Sequence, residues 1–202
     1  MKIRFFDNRY LVYFCVCAAG LTGLIAHADT SGGAPRSRKL TLGELCERID
    51  RAIKASETNE NARKYPDVRS DIFLSATQRL EEIEKLGDRA ALPFLEEKSL
   101  MINAPSSFRF RAAETYAKLA TAEECATFLP KILKIDDVDK TIISWRYRVT
   151  PMCLNKIEAA IAMRELSNAT VHRLVDAFVT YTQSAYYSNE AALIDNFLLK
   201  HC

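Results

Sequence analysis

The last 115 residues of this 202-residue chain contain no glycine. The six glycines are Gly20, Gly23, Gly32, Gly33, Gly43 and Gly87, so beyond Gly87 every turn is made by residues that carry a side chain. P-loops, G-x-G-x-x-G dinucleotide turns and G-x-S-x-G elbows all need glycine where the backbone turns tightly or approaches a ligand, and none of these patterns is present. A chain of helices joined by short polar turns remains open. The hydrophobic share, 49%, argues against disorder. With 28 Lys+Arg against 26 Asp+Glu, the chain lacks the basic excess with which nucleic-acid binders release counterions from phosphate.

The first residues read as an address. Lys2, Arg4 and Arg9 precede an apolar run from Leu11 to Ala26, which closes on Ala26-His27-Ala28. Charge, apolar core and a small-x-small site in that order predict a secretory signal (residues 1–28) cleaved after Ala28. As an uncleaved anchor, the run is short for a bilayer span and is broken by Gly20 and Gly23. Neither Cys15 nor Cys17 sits in a lipobox-like context. The expected destination is the periplasm or the exterior, with no membrane span after cleavage. Removing residues 1–28 leaves 25 basic and 25 acidic residues in 174, a formally neutral protein. It also leaves four cysteines, Cys46, Cys125, Cys153 and Cys202, which are candidates for structural disulfides in an exported chain. None has C-x-x-C spacing, so neither a zinc site nor a redox motif is expected.

Residues 29–40 begin with Asp-Thr-Ser-Gly-Gly-Ala-Pro-Arg-Ser-Arg and read as a flexible linker, leaving 41–202 as the folded domain. Thr41-Leu42-Gly43-Glu44 has capping-box form, with Leu45, Cys46, Ile49 and Ile53 behind it on one helical face. A loop from Ser56 to Lys64 ends near Pro66, and a helix runs from about Asp71 to Leu86. Gly87 suits the end of that helix. Asp88 caps the next one, which Pro93 should kink in its second turn. A helix from about Ser107 to Ala120 follows. A second capping box, Thr121-Ala122-Glu123-Glu124, opens a helix that Pro130 interrupts. Three further stripes run through Leu154–Leu166, Val171–Val179 and Leu193–Leu198. Each is too apolar to stand alone, so the helices must bury their faces on one another. The expected class is all-α, with about seven or eight helices.

An internal echo suggests how they pack. Lys85-Leu86-Gly87-Asp88 is matched 33 residues on by Lys118-Leu119-Ala120-Thr121, and Glu165-Leu166-Ser167-Asn168 fills the same slot 47 residues later. Leu92-Pro93-Phe94-Leu95 resembles Leu129-Pro130-Lys131-Ile132 in the same way. Helix–turn–helix units at such periods mark an αα-solenoid. The run from Lys85 to Leu95 resembles the turn and second helix of a HEAT-type repeat, near the bilin-lyase-like variety. Arg111-Ala112-Ala113-Glu114-Thr115-Tyr116-Ala117-Lys118-Leu119 looks like the first helix of the next repeat. The resemblance covers residues 71–134 well and 141–200 loosely. It implies a short right-handed solenoid of HEAT-like pairs, a scaffold commonly used for protein contacts, and carries over no catalytic residue. It departs from the pattern where Gly87 is replaced by Ala120 and Ser167, and where the third unit is about 14 residues longer. A compact bundle is the rival arrangement.

The oddest segment is Ser107-Phe108-Arg109-Phe110-Arg111, which recurs 37 residues later as Ser144-Trp145-Arg146-Tyr147-Arg148. That offset conflicts with the 47-residue one, so one alignment is coincidental or an extra helix intervenes. Residues 138–149 fit a helix and also alternate like a strand. Aromatic and arginine side chains dominate interface hot spots, which makes Phe108, Arg109, Trp145, Arg146, Tyr147 and Arg148 a candidate binding face. The plainer reading has the rings filling space between helices.

Two functional hypotheses follow. The first is a non-catalytic scaffold or adaptor holding a protein partner, with no cofactor and no metal. The second is a small exported enzyme using His172, which Asp176 follows one turn on, or a cysteine thiol. That second reading lacks a nucleophile and an oxyanion site converging on the histidine. Asn168-Ala169-Thr170 has the form of a glycosylation sequon, which matters only in a eukaryotic secretory pathway.

Overall fold

The computed structural model of the chain describes residues 39–60, 64, 66–135, 145–184 and 189–201. The expected signal, the linker up to residue 38, residues 136–144 and Cys202 lie outside the described residues. The described fold is all-α. Its helices are α1 (Leu42–Thr58), α2 (Pro66–Leu86), α3 (Leu92–Leu100), α4 (Ser106–Leu119), α5 (Ala122–Leu133), α6 (Trp145–Ala162), α7 (Asn168–Ser184) and α8 (Asn189–His201). A 3-10 turn, Arg89–Ala91, leads into α3. Among the described residues there is no strand, and no helix is long and apolar enough to cross a membrane.

The helices alternate between two rows. Partners adjacent in sequence pack across the rows: α1 on α2, α3 on α4, α5 on α6 and α7 on α8. Helices two apart lie side by side, α2, α4, α6 and α8 in one row and α3, α5 and α7 in the other. An ion pair of 2.7 Å from Lys98 on α3 to Asp50 ties α1 to the second row. One apolar core runs between the rows. Its large side chains meet at helix junctions: Phe73 edge-on to Phe108 at 5.3 Å, Tyr116 stacked on Phe128 at 4.0 Å, and Phe178 edge-on to Phe197 at 5.3 Å.

Both expected capping boxes form. Thr41 accepts from the Glu44 amide at 3.3 Å while the Glu44 carboxylate accepts from the Thr41 amide at 2.8 Å. Thr121 and Glu124 repeat the arrangement at 3.4 and 2.7 Å. Each box satisfies amides that the first helical turn leaves without an internal partner.

Several local expectations are corrected. α1 continues through Ser56, whose buried hydroxyl donates to the Ile53 carbonyl at 2.7 Å, and stops at Thr58. α2 starts at Pro66, five residues earlier than the apolar stripe indicates, because proline in the first turn forfeits no helical hydrogen bond. Pro93 introduces no kink for the same reason: the 3-10 turn precedes it, and it falls at the start of α3. Pro130 does lie inside α5. Residues 145–149 are helical, which decides the helix–strand ambiguity there.

Side-chain contacts join helices two apart close to both the 37- and the 47-residue offset. Arg148 on α6 stacks over the Phe110 ring of α4 at 4.5 Å, so the helix starts are neighbours. Further along, the Thr170 hydroxyl of α7 donates to the Glu123 carboxylate of α5 at 2.7 Å, across 47 positions. The difference is absorbed by α6, which has 18 residues where α4 has 14, and by a longer turn after it.

The turns also solve the glycine shortage in different ways. Gly87 takes φ +68°, in the left-handed region. The α4–α5 turn needs no such residue, because Ala120 is extended with φ −70° and ψ 149°. After α6 the left-handed position is occupied by Arg164 at φ 59°. There the Glu165 amide donates to the Ala160 carbonyl at 2.8 Å and the Arg164 amide to Ile161 at 3.0 Å, the paired bonds of a Schellman end. A Cβ added at Gly87 meets nothing within 4 Å, so Gly87→Ala changes backbone strain alone. It is expected to lower stability by about 1 kcal/mol, and Arg164→Gly to raise it by roughly 0.5 kcal/mol, in urea unfolding at unchanged m.

Candidate functional site

The turn into α3 builds one side of an open groove. The Asp88 carboxylate accepts from the Ala90 amide at 2.9 Å and fixes the 3-10 turn, which leaves Arg89 and Ala90 exposed and buries Ala91. Opposite it, the capping box at Thr121 holds the Glu124 side chain at the start of α5. Arg89 spans the gap, its Nη2 donating to both Glu124 oxygens at 2.8 and 2.7 Å. Further along the same two helices, Lys131 of α5 pairs with Glu96 of α3. Both bridges join residues 35 positions apart.

Between these bridges lies a cavity of about 500 Å³ lined by Arg89, Ala90, Leu92, Pro93, Glu96, Tyr116 and Glu124. Leu92, Pro93 and the Tyr116 ring supply apolar surface; Arg89, Glu96 and Glu124 supply charge. The Tyr116 hydroxyl donates to the Glu124 carbonyl at 3.4 Å. Burial, with the Glu96 and Glu124 carboxylates nearby, pushes its ionisation well above the usual phenol range, so it serves as a donor and not as a base. Burial also pushes the Glu124 carboxyl up, but the Thr121 amide and Arg89 outweigh this and hold it below its ordinary value. Glu114 behaves alike: burial is overcome by Arg111 and Lys118. A second, smaller cavity of about 300 Å³ lies between α1 and α2, lined by Arg48, Ala52, Ser75, Ala76 and Arg79. Arg79 is engaged by Glu82.

The structure brings the two aromatic–arginine segments together and then divides them by role. Phe108 is fully buried against Phe73. Arg109 is buried, and its Nε donates to the Ser99 carbonyl in the last turn of α3 at 3.2 Å. Arg146, 37 positions on, donates to the Ile135 carbonyl at 2.5 Å and the Leu133 carbonyl at 3.4 Å, at the end of α5. Its Nε also stands 3.8 Å from the buried Glu190 carboxylate. The repeated arginine therefore performs one task twice, satisfying carbonyls where the preceding helix ends. Tyr147 and Arg148 remain exposed beside the half-buried Phe110. The Trp145 side chain lies outside the described residues.

His172 and Asp176 are exposed on α7, and neither lines either cavity. Cys46 is half-buried; burial and then Asp50 push its thiol up, against the nearby Lys98. Cys125 and Cys153 are buried. Among the described residues no group of three or more His, Cys, Asp or Glu side chains is placed to hold a metal ion. The groove escaped sequence reasoning because Glu124 is legible there only as a helix cap, and nothing local marks Arg89, Glu96 or Lys131 as its neighbours. The one signal that pointed to it is their common 35-residue spacing. No known protein family, curated protein or solved structure matches the chain.

The depressed carboxyls fix an acid limb. Groups held below an ordinary value of 4.5 in the fold contribute stability that is complete above that pH and lost as pH falls through the folded value. Glu124→Gln is therefore expected to be less stable than the parent at about pH 7, with the gap narrowing as the pH is lowered below the ordinary carboxyl value, in urea midpoints.

Proposed function

We propose that this protein is an exported scaffold of HEAT-like helix pairs, without catalysis of its own, that holds a protein partner in the groove between α3 and α5. The observation that carries this reading is the groove itself: an open recess of about 500 Å³ with mixed apolar and charged lining beside two ion pairs. An apolar anchor side chain in a recess, surrounded by polar groups, is how small contact areas achieve affinity. The rim carries both charge signs, which suits a polypeptide with mixed flanking charges. The alternation of helices between two rows supports the repeat reading, and the charge–apolar–Ala-His-Ala order of residues 1–28 supports export.

Affinity capture from the native envelope or secreted fraction tests it with three forms in parallel: the parent, Ala90→Trp and Tyr147→Ala. Ala90 is exposed at the groove edge, so the larger ring fills the recess without entering the core. A specific partner is expected with the parent and with Tyr147→Ala, and at least tenfold less with Ala90→Trp. Equal recovery with Ala90→Trp removes the groove from consideration. Loss with Tyr147→Ala alone transfers the role to the exposed Tyr147–Arg148 patch.

A further inference from the structure

The recess between α1 and α2 shares no residue with the groove and is built differently. Its floor is Ala52 and Ala76, whose short side chains leave about 300 Å³ open between the two helices. Arg48 of α1, with Ser75 and Arg79 of α2, completes the lining, which holds two guanidinium groups, one hydroxyl and no carboxylate. Arg79 gives one N–H to Glu82 and has others left, since a guanidinium carries five. The Arg48 side chain has no hydrogen bond or ion pair among the described residues. The carboxylates nearest to it in sequence are engaged elsewhere: Glu44 closes the capping box with Thr41, and Glu47 pairs with Arg51 at 3.6 Å. Two positive charges thus stand at the recess against the single Glu82 carboxylate beside it. The recess also faces away from α4. Arg111 of α4 meets α2 at Glu81 and Glu84, each two positions after Arg79 and Glu82 and so about 200° round the helix.

We propose that this recess binds one oxyanion group, a phosphate or a carboxylate, between the Arg48 and Arg79 guanidinium groups, with the Ser75 hydroxyl as a further donor. Hydrogen bonds from a guanidinium to an oxyanion carry charge on both sides, and their parallel N–H pairs match the oxygen spacing of phosphate and carboxylate. Arg48 exchanges only water for the anion, whereas Arg79 keeps Glu82 and adds an N–H that this pair does not use. Ser75 precedes Arg79 by one turn, so its hydroxyl lies on the same face of α2 as that guanidinium. The alanine floor presents no acceptor that would repel the anion. A space of about 300 Å³ equals roughly ten waters in the liquid, enough for an anionic head with part of its hydration. Arg48 is exposed, so salt screens the site and its affinity is modest.

The test titrates the full chain with sodium phosphate and, separately, with sodium acetate, at neutral pH and with ionic strength held constant by sodium chloride. Binding is followed on the arginine Nε–H signals by proton–nitrogen NMR. Saturable shifts with a dissociation constant on the order of 1 mM are expected with at least one of the two anions. Saturation by phosphate alone identifies a phosphate-bearing ligand, and saturation by acetate a carboxylate-bearing one. Arg48→Gln and Arg79→Gln are each expected to weaken binding about tenfold. Lys54→Gln removes the same charge from an exposed position of α1 outside the recess and is expected to weaken it by less than about twofold. Because Arg48 is exposed and holds no partner among the described residues, Arg48→Gln is expected to keep the parent's thermal midpoint, which separates lost binding from lost folding. Failure of both anions to saturate the parent, or equal weakening by Arg48→Gln and Lys54→Gln, overturns the proposal. No partner protein enters the titration, so the groove reading and this one fail separately.

Discussion

A helix ends with carbonyls that have no partner inside the helix, and in a two-row stack many of those ends are covered by neighbours. The fold depends on how they are satisfied. Arg69 reaches the Asn103 carbonyl after α3 at 2.6 Å, and Arg109 reaches Ser99 within its last turn. Arg146 takes the carbonyls of Leu133 and Ile135 at the end of α5. The Lys156 ammonium on α6 closes the end of α4, donating to Ala120 at 2.6 Å and Lys118 at 3.0 Å. A cation at a helix C-terminus also meets the negative end of the helix dipole. Each of these side chains reaches beyond its own helix, so capping and stacking are one operation. A charged residue that caps its neighbour also sets how far along the neighbour it lies.

The same logic shapes the groove. Arg89–Glu124 and Glu96–Lys131 join the second row at two points with a shared 35-residue spacing. Exposed ion pairs contribute little stability. Their consequence is geometric: they brace α3 and α5 at two levels around a recess at which Pro93 is exposed and the edges of the buried Leu92 and Tyr116 are reached. In the first row the corresponding place is filled by a denser network. Arg111 contacts Glu84 at 3.0 Å and Glu114 at 2.6 Å, and Lys118 reaches Glu84 at 2.8 Å. The α2–α4 contact is thus closed by charge, whereas the α3–α5 contact keeps a recess beside its ion pairs.

The buried polar groups divide along similar lines. Lys98 loses hydration, which lowers its affinity for a proton, but the Asp50 and Glu97 carboxylates outweigh that loss and hold its ionisation above the ordinary value. It is a cross-helix tie that stays charged. Cys125 on α5 and Cys153 on α6 are instead buried without any exposed surface, as free thiols in the apolar core.

What the sequence determined was local and periodic. The two capping boxes, the apolar stripes and the left-handed demand at Gly87 act over a few residues, and each was legible from the spacing of residue types. Arg164 was not, because a left-handed arginine carries no compositional mark and is imposed by the Schellman bonds around it. The Phe108–Arg111 echo was visible as a repeat, but its division into core ring, carbonyl cap and exposed edge was not. Periodicity says that a residue lies on a face; only the neighbouring helix decides whether that face is covered. The groove is likewise a product of tertiary structure. Its two bridges join residues 35 positions apart, whose proximity comes from α3 and α5 lying side by side in one row.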